Sequence, residues 1–232
     1  RSVSRGLGDV YKRQIIYMYT EAFGRASYLV SRSRGKKSTV SKALFIPLSV
    51  LEMEVEHLNK RDLHRIKETR ICFPLNDVCC DPVKNVLALF LSEVLFRVVK
   101  DTEPDPRLFD YLYESIHLLE YADKGIANFH MVFLLGLLHH LGIFPNMESH
   151  RVGYYFDMLN GVFTDHIPMH RHYLNKVESA FFSRLLRISF ENMSLYGFSR
   201  QERARIIHRI LEYYRLCLLY TSPSPRDTER SR

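Results

Sequence analysis

At Asp81-Pro82 the spacing of apolar residues changes from every second position to the helical repeat, and few folds accommodate both regimes in that order. Upstream, Leu51, Met53 and Val55 alternate strictly with Glu52, Glu54 and Glu56, as in a half-buried strand. Two apolar runs, Ile15–Tyr19 and Ala26–Val30, flank Thr20–Arg25, a connection whose Gly24 suits a hairpin turn. Leu63–Arg70 adds a strand of weaker pattern. So many strands over 15–80 without a long helix predict a small all-β barrel. An OB-like barrel fits, and an SH3-like barrel fits the bare pattern nearly as well.

Downstream the expectation is an all-α bundle over 81–220. Asp81 can cap a helix with Pro82 at its first position, and Asp105-Pro106 repeats the device. Apolar residues then recur at helical spacing through Val83, Leu87, Leu91, Val94 and Val98, and through Leu108, Leu112, Ile116 and Leu119. Asn128–Leu141 is apolar nearly all round, so it belongs at the centre of the bundle, and Gly142 ends it. A further helix is expected over Asn175–Phe190. Ser199 and Glu202 form a capping box that opens the last one. Arg203, Arg205 and Arg209 fall on the outside of that helix, more as a solvated face than as a DNA contact.

Between Asn146 and His172 the pattern is irregular. Asp157, Asp165, His150, His166, His170 and His172 invite a metal-site or metal-dependent nuclease reading, but their spacing matches no closed zinc pattern. Cys72, Cys79, Cys80 and Cys217 include no C-x-x-C pair, which points to reduced thiols, buried or inert, in a cytoplasmic protein. No apolar stretch is long enough to span a membrane. Segments 1–14 and 221–232 lack usable periodicity and read as non-native tails outside the fold.

The formal charge of +7 is unevenly placed: residues 15–80 carry eleven basic and seven acidic side chains, residues 81–220 fifteen and sixteen. Much of the excess comes from Ser31–Lys42, where Arg32, Arg34, Lys36, Lys37 and Lys42 occur with no acid. Small polar residues separate the charges, so the run suits either a solvated loop or a loop that settles on a polyanion.

Several stretches together resemble the RecO family of bacterial DNA repair and recombination proteins, in its Bacteroidetes form. They are IIYMYTEAFGRASYLVSRSRGKKS, LSVLEMEVEH, ALFLSEVLFRVVK with PDPRLFDYLYESIHLLE, NFHMVFLLGLLHHLGIFPN and ERARIIHRILEYYRLCL. The resemblance covers about 15–220 and implies an N-terminal OB barrel followed by a helical domain. It departs in three places. The first barrel strand is expected to be missing or replaced, the chain stops soon after the last helix, and Met147–His172 lacks the four cysteines of the zinc-binding relatives.

The resemblance implies a non-catalytic protein of the nucleoid that binds single- and double-stranded DNA and anneals complementary strands. Its implied partners are RecR and the acidic, apolar-ended tail of the single-strand-binding protein SSB, and no cofactor is implied. On that reading Arg25 joins the five loop cations as phosphate contacts, and Tyr17, Phe23 and Tyr28 are candidates for base stacking. His139, Arg203 and Arg209 are candidates for the tail contact. The competing classes are the metal-dependent nuclease or hydrolase and a helical interaction scaffold that binds no DNA.

Overall fold

The computed structural model describes residues 2–7, 13–31, 44–57, 62–100 and 103–220. Five strands form a closed barrel: β1 (Ser2–Leu7), β2 (Arg13–Thr20), β3 (Gly24–Ser31), β4 (Val50–Glu56) and β5 (Leu63–Ile71). The ring closes in the order β1-β2-β3-β5-β4. β3 and β5 run parallel, and every other pairing is antiparallel. That order selects the OB arrangement over an SH3-like one.

The barrel has its opening strand, which corrects the expectation that residues 1–14 lie outside the fold. β1 pairs with β2 from Ser2↔Thr20 to Leu7↔Ile15 and reaches β4 through Ser2↔Leu51 and Val3↔Val50. Val3 is buried, and the Ser2 hydroxyl donates to the Leu51 carbonyl at 3.3 Å. Backbone pairing on two sides, rather than apolar alternation, recruits this segment, and periodicity does not register that.

The register sets the barrel interior. Ile16 faces Tyr28 and Met18 faces Ala26 across the β2–β3 pair, and Val30, Leu51 and Phe45 complete the core. In β4 the acidic positions are exposed while Leu51, Met53 and Val55 turn inward.

After the barrel come α1 (Asn76–Cys80), α2 (Pro82–Val98) and α3 (Pro106–Tyr121). Asp81 accepts from the amides of Val83 (2.7 Å) and Lys84 (3.1 Å), and Asp105 from those of Arg107 (2.9 Å) and Leu108 (3.2 Å). Both helix starts are therefore capped as the Asp-Pro pairs predict. A buried carboxylate ties the helices together. Glu120 of α3 accepts from the amides of Asp77 and Val78, and the buried Lys84 ammonium donates to the Glu120 carbonyl at 2.6 Å and to Asp77 at 3.3 Å. Burying these charges is tolerable because each finds partners at once.

The chain divides into two compact units, Arg1–Ile126 and Ala127–Arg232. The second contains α4 (Phe129–His140), α5 (Lys176–Leu185) and α6 (Arg200–Tyr220). α4 buries residues around its whole circumference, and Gly142, at φ +68°, turns the chain out of it. The irregular stretch holds a three-stranded sheet: β6 (Tyr155–Asp157) lies between β7 (Val162–Thr164) and β8 (Tyr173–Leu174). Strands of two or three residues are too short to leave a periodic trace.

α5 stops at Leu185, short of the expected Phe190. The amides of Arg187 and Ile188 fall back onto the carbonyls of Arg184 and Leu185, and the Ser189 amide donates to the Asn192 side chain. Ser199 and Glu202 make both halves of the capping box that opens α6, at 2.7 and 3.2 Å. All four cysteines are free thiols. Cys217 is buried, whereas Cys79 and Cys80 are exposed. Partial burial, then the neighbouring Cys80 and Glu120, push the Cys79 thiol up, which favours its unreactive protonated form. No helix among the described residues is long and apolar enough to cross a membrane.

Candidate functional site

The β2–β3 hairpin turns tightly through Glu21-Ala22-Phe23, shorter than the predicted connection. Gly24 takes φ +58°, which a side-chain-bearing residue disfavours. Thr20 locks the turn. Its hydroxyl donates to the Gly24 carbonyl and accepts from the Phe23 amide, both at 3.0 Å.

The four described candidates on this hairpin separate by environment. Tyr28 is fully buried in the barrel core, which corrects its assignment as a stacking residue: no base reaches its ring. Burial pushes its hydroxyl pKa up to about 12. Tyr17 is half-buried, edge-on to Phe96 of α2 with ring centroids 4.9 Å apart. Arg25 lies over the Phe96 ring at 4.6 Å and donates through one nitrogen to the carbonyls of Phe96 (3.1 Å) and Val99 (3.0 Å). It thereby caps the C-terminal end of α2, where a cation is favoured.

Phe23 remains at the surface, 36% exposed. Its ring stacks on His57 at 4.0 Å, with the planes only 4° apart. His57 in turn stacks on His64 at 3.9 Å, and His64 leans on Tyr28 at 5.9 Å. Burial, and then the neighbouring His57, lower the pKa of His64, so the neutral imidazole is favoured. Sequence reasoning passed over both histidines. Their only signal was their position at the two ends of the β4–β5 connection. Arg32, Arg34, Lys36, Lys37 and Lys42 lie outside the described residues.

In the second unit a groove of about 810 Å³ opens between α5 and α6. Val177, Phe181, Phe182, Leu185, Ala204 and Ile206 form its apolar lining. Arg184, Arg205 and Arg209 bring positive charge, and Glu178 and Glu202 oppose it. Arg209 donates to Glu178 at 3.0 Å and to Glu212 at 2.9 Å, linking α5 and α6. Of the three residues proposed for the tail contact, Arg209 alone lines this groove. Arg203 donates to the Phe198 carbonyl, and His139 stacks on Phe144 at 3.5 Å. The apolar exposure that marks the groove comes from Val177 and Phe181.

The acidic and histidine residues of the irregular stretch do not gather into one centre. Asp157 accepts from the amides of Leu159 and Asn160 and from the Asn160 side chain, which folds the turn after β6. His170 approaches Asp157 at 3.2 Å, whereas Asp165 pairs with the exposed His166. Among the described residues no three His, Cys, Asp or Glu side chains are placed to share a metal ion.

A family described as recombination protein O, C terminal, matches residues 80–223. Three similar proteins each carry the name DNA repair protein RecO. The chain is 43% identical over 205 residues to that of Bacteroides fragilis and 40% identical over 204 to that of Azobacteroides pseudotrichonymphae. It is 36% identical over 208 residues to that of Porphyromonas gingivalis. Each alignment covers 88% of this chain and 85% of the relative.

Proposed function

The chain belongs to the RecO family of DNA repair proteins, and from that premise we propose that it is a non-catalytic mediator that binds DNA and anneals complementary strands. The observation that carries this reading is the pairing of a closed OB barrel with an acid-free basic run, Ser31–Lys42, between β3 and β4. Annealing needs no bond-making machinery. It needs phosphate repulsion screened while base edges stay free to pair. Arg32, Arg34, Lys36, Lys37 and Lys42 supply the screening. Arg25, with its guanidinium committed to the carbonyls at the end of α2, is not counted among them.

The α5–α6 groove supports a partner role. Its apolar lining and its arginines suit an acidic peptide with an apolar end, which is the chemistry of an SSB tail. In this reading the protein acts on SSB-coated single strands in the cytoplasm, with RecR docking on the barrel side, and helps the recombinase to load.

The test reverses Arg34, Lys36 and Lys37 to Glu together. Removing three phosphate contacts is expected to flatten the dependence of log affinity on log salt by about 2 for single-stranded DNA. Strand annealing without nucleotide or metal is expected to collapse with it. Unchanged affinity at low salt would sink the proposal and favour a helical scaffold that binds no DNA.

A further inference from the structure

The rings of Phe23, His57 and His64 form a column that begins at the surface and ends against Tyr28 in the barrel core. A single exposed phenylalanine is ordinary. A phenylalanine on a hairpin tip whose ring is already stacked face to face, with its amide tied to Thr20, is a different object. Its orientation is fixed before any ligand arrives, so binding does not have to freeze a mobile side chain. Among the described residues, the only ring contact to Phe23 is the one with His57.

We propose that Phe23 is a pre-stacked docking platform for an unpaired nucleobase, which lies on the ring face turned away from His57 and extends the Phe23–His57–His64 column. The proposal rests on the DNA-binding reading above and deepens it. Phosphate contacts are shared by single strands and duplexes, whereas a base inside a duplex has both faces covered. The platform therefore favours single-stranded DNA without reading its sequence, because every base has a π-face. His57 is a positioning residue that holds the Phe23 ring flat from behind.

The chain contains no tryptophan, so Phe23→Trp installs a single indole at the platform. Its fluorescence is expected to be quenched by a single-stranded oligonucleotide at low salt, but not by an abasic strand of equal length and charge. Phe23→Ala is expected to lower single-strand affinity roughly 5- to 100-fold, the equivalent of one stacked base. Duplex affinity and the salt slope should stay unchanged. His57→Ala is expected to show a smaller loss in the same direction. If anisotropy shows Phe23→Trp binding the oligonucleotide while its emission is unchanged, the platform is wrong and the DNA-binding reading survives. If the wild-type chain binds no DNA at low salt, that reading fails and takes the platform with it.

Discussion

Arg25 shows how far a residue's chemistry depends on what surrounds it. By type and position it belongs with the basic residues that follow it. In the fold its guanidinium closes the end of α2, with two carbonyls at 3.0 and 3.1 Å and an aromatic face at 4.6 Å. Arg25→Ala is expected to destabilise the first unit by about 2 kcal/mol, since hydrogen bonds from a charged donor are the stronger kind. Thermal denaturation measures this. In the same variant the salt slope for single-stranded DNA is expected to stay constant, and a fall of about 0.7 would show that Arg25 also reaches a phosphate. Tyr28 and Phe23 carry similar rings five positions apart, yet one is core and the other surface. Alternation along β3 turns Tyr28 inward, and the turn carries Phe23 outward.

At the scale of elements, the α5–α6 pair is one place where packing leaves apolar area uncovered along a groove. Val177 is 80% exposed, so Val177→Asp should be tolerated by the fold. It is expected to weaken binding of an acidic, apolar-ended peptide by about tenfold or more, because a like charge then meets the ligand in the groove lining. Titration of a labelled peptide checks this, and an unchanged affinity would place the tail site elsewhere. Some elements were legible from residues alone. The two Asp-Pro starts and the Ser199–Glu202 box are local devices, with donor and acceptor a few residues apart. β1 and the sheet of β6, β7 and β8 were not legible. Their strands are short or weakly patterned, and β1 also closes on β4, about fifty residues away.

For the whole molecule, titration sets a direction for stability. Burial, followed by the charge of Arg203, pushes His130 down to about 4, and His64 and His139 are also lowered. A lowered histidine pKa means that the unfolded chain binds protons more readily than the folded one. Stability is therefore full above about pH 6.5 and falls as acid approaches the folded value. The lowered carboxyls of Asp157 and Glu202 act in the same sense at still lower pH. The melting temperature is expected to be flat above pH 7 and to fall between pH 6.5 and 4, with His130 alone accounting for on the order of 3 kcal/mol. His130→Gln should flatten part of that fall. An unchanged melting temperature from pH 7 to 4.5 would contradict the assignment. Two divisions of the chain also coexist at this scale. The family match begins at residue 80, at the change of period, whereas the compact units part after Ile126. Arg25, Tyr17 and the Tyr19 hydroxyl, which accepts from the Asp105 amide at 3.1 Å, join the barrel to α2 and the start of α3.

Sequence by itself determined what is written in local or periodic form: the strand-to-helix change at Asp81-Pro82, the caps, the inward face of β4, the acid-free basic run and the family. These follow from neighbours within a turn of helix or along one strand. Only the tertiary structure decided that Ser2–Leu7 closes the barrel, that Arg25 caps a helix about seventy residues away, and that His57 and His64 stand behind Phe23. Each of those outcomes depends on which distant segments meet, and no spacing within one segment encodes that meeting.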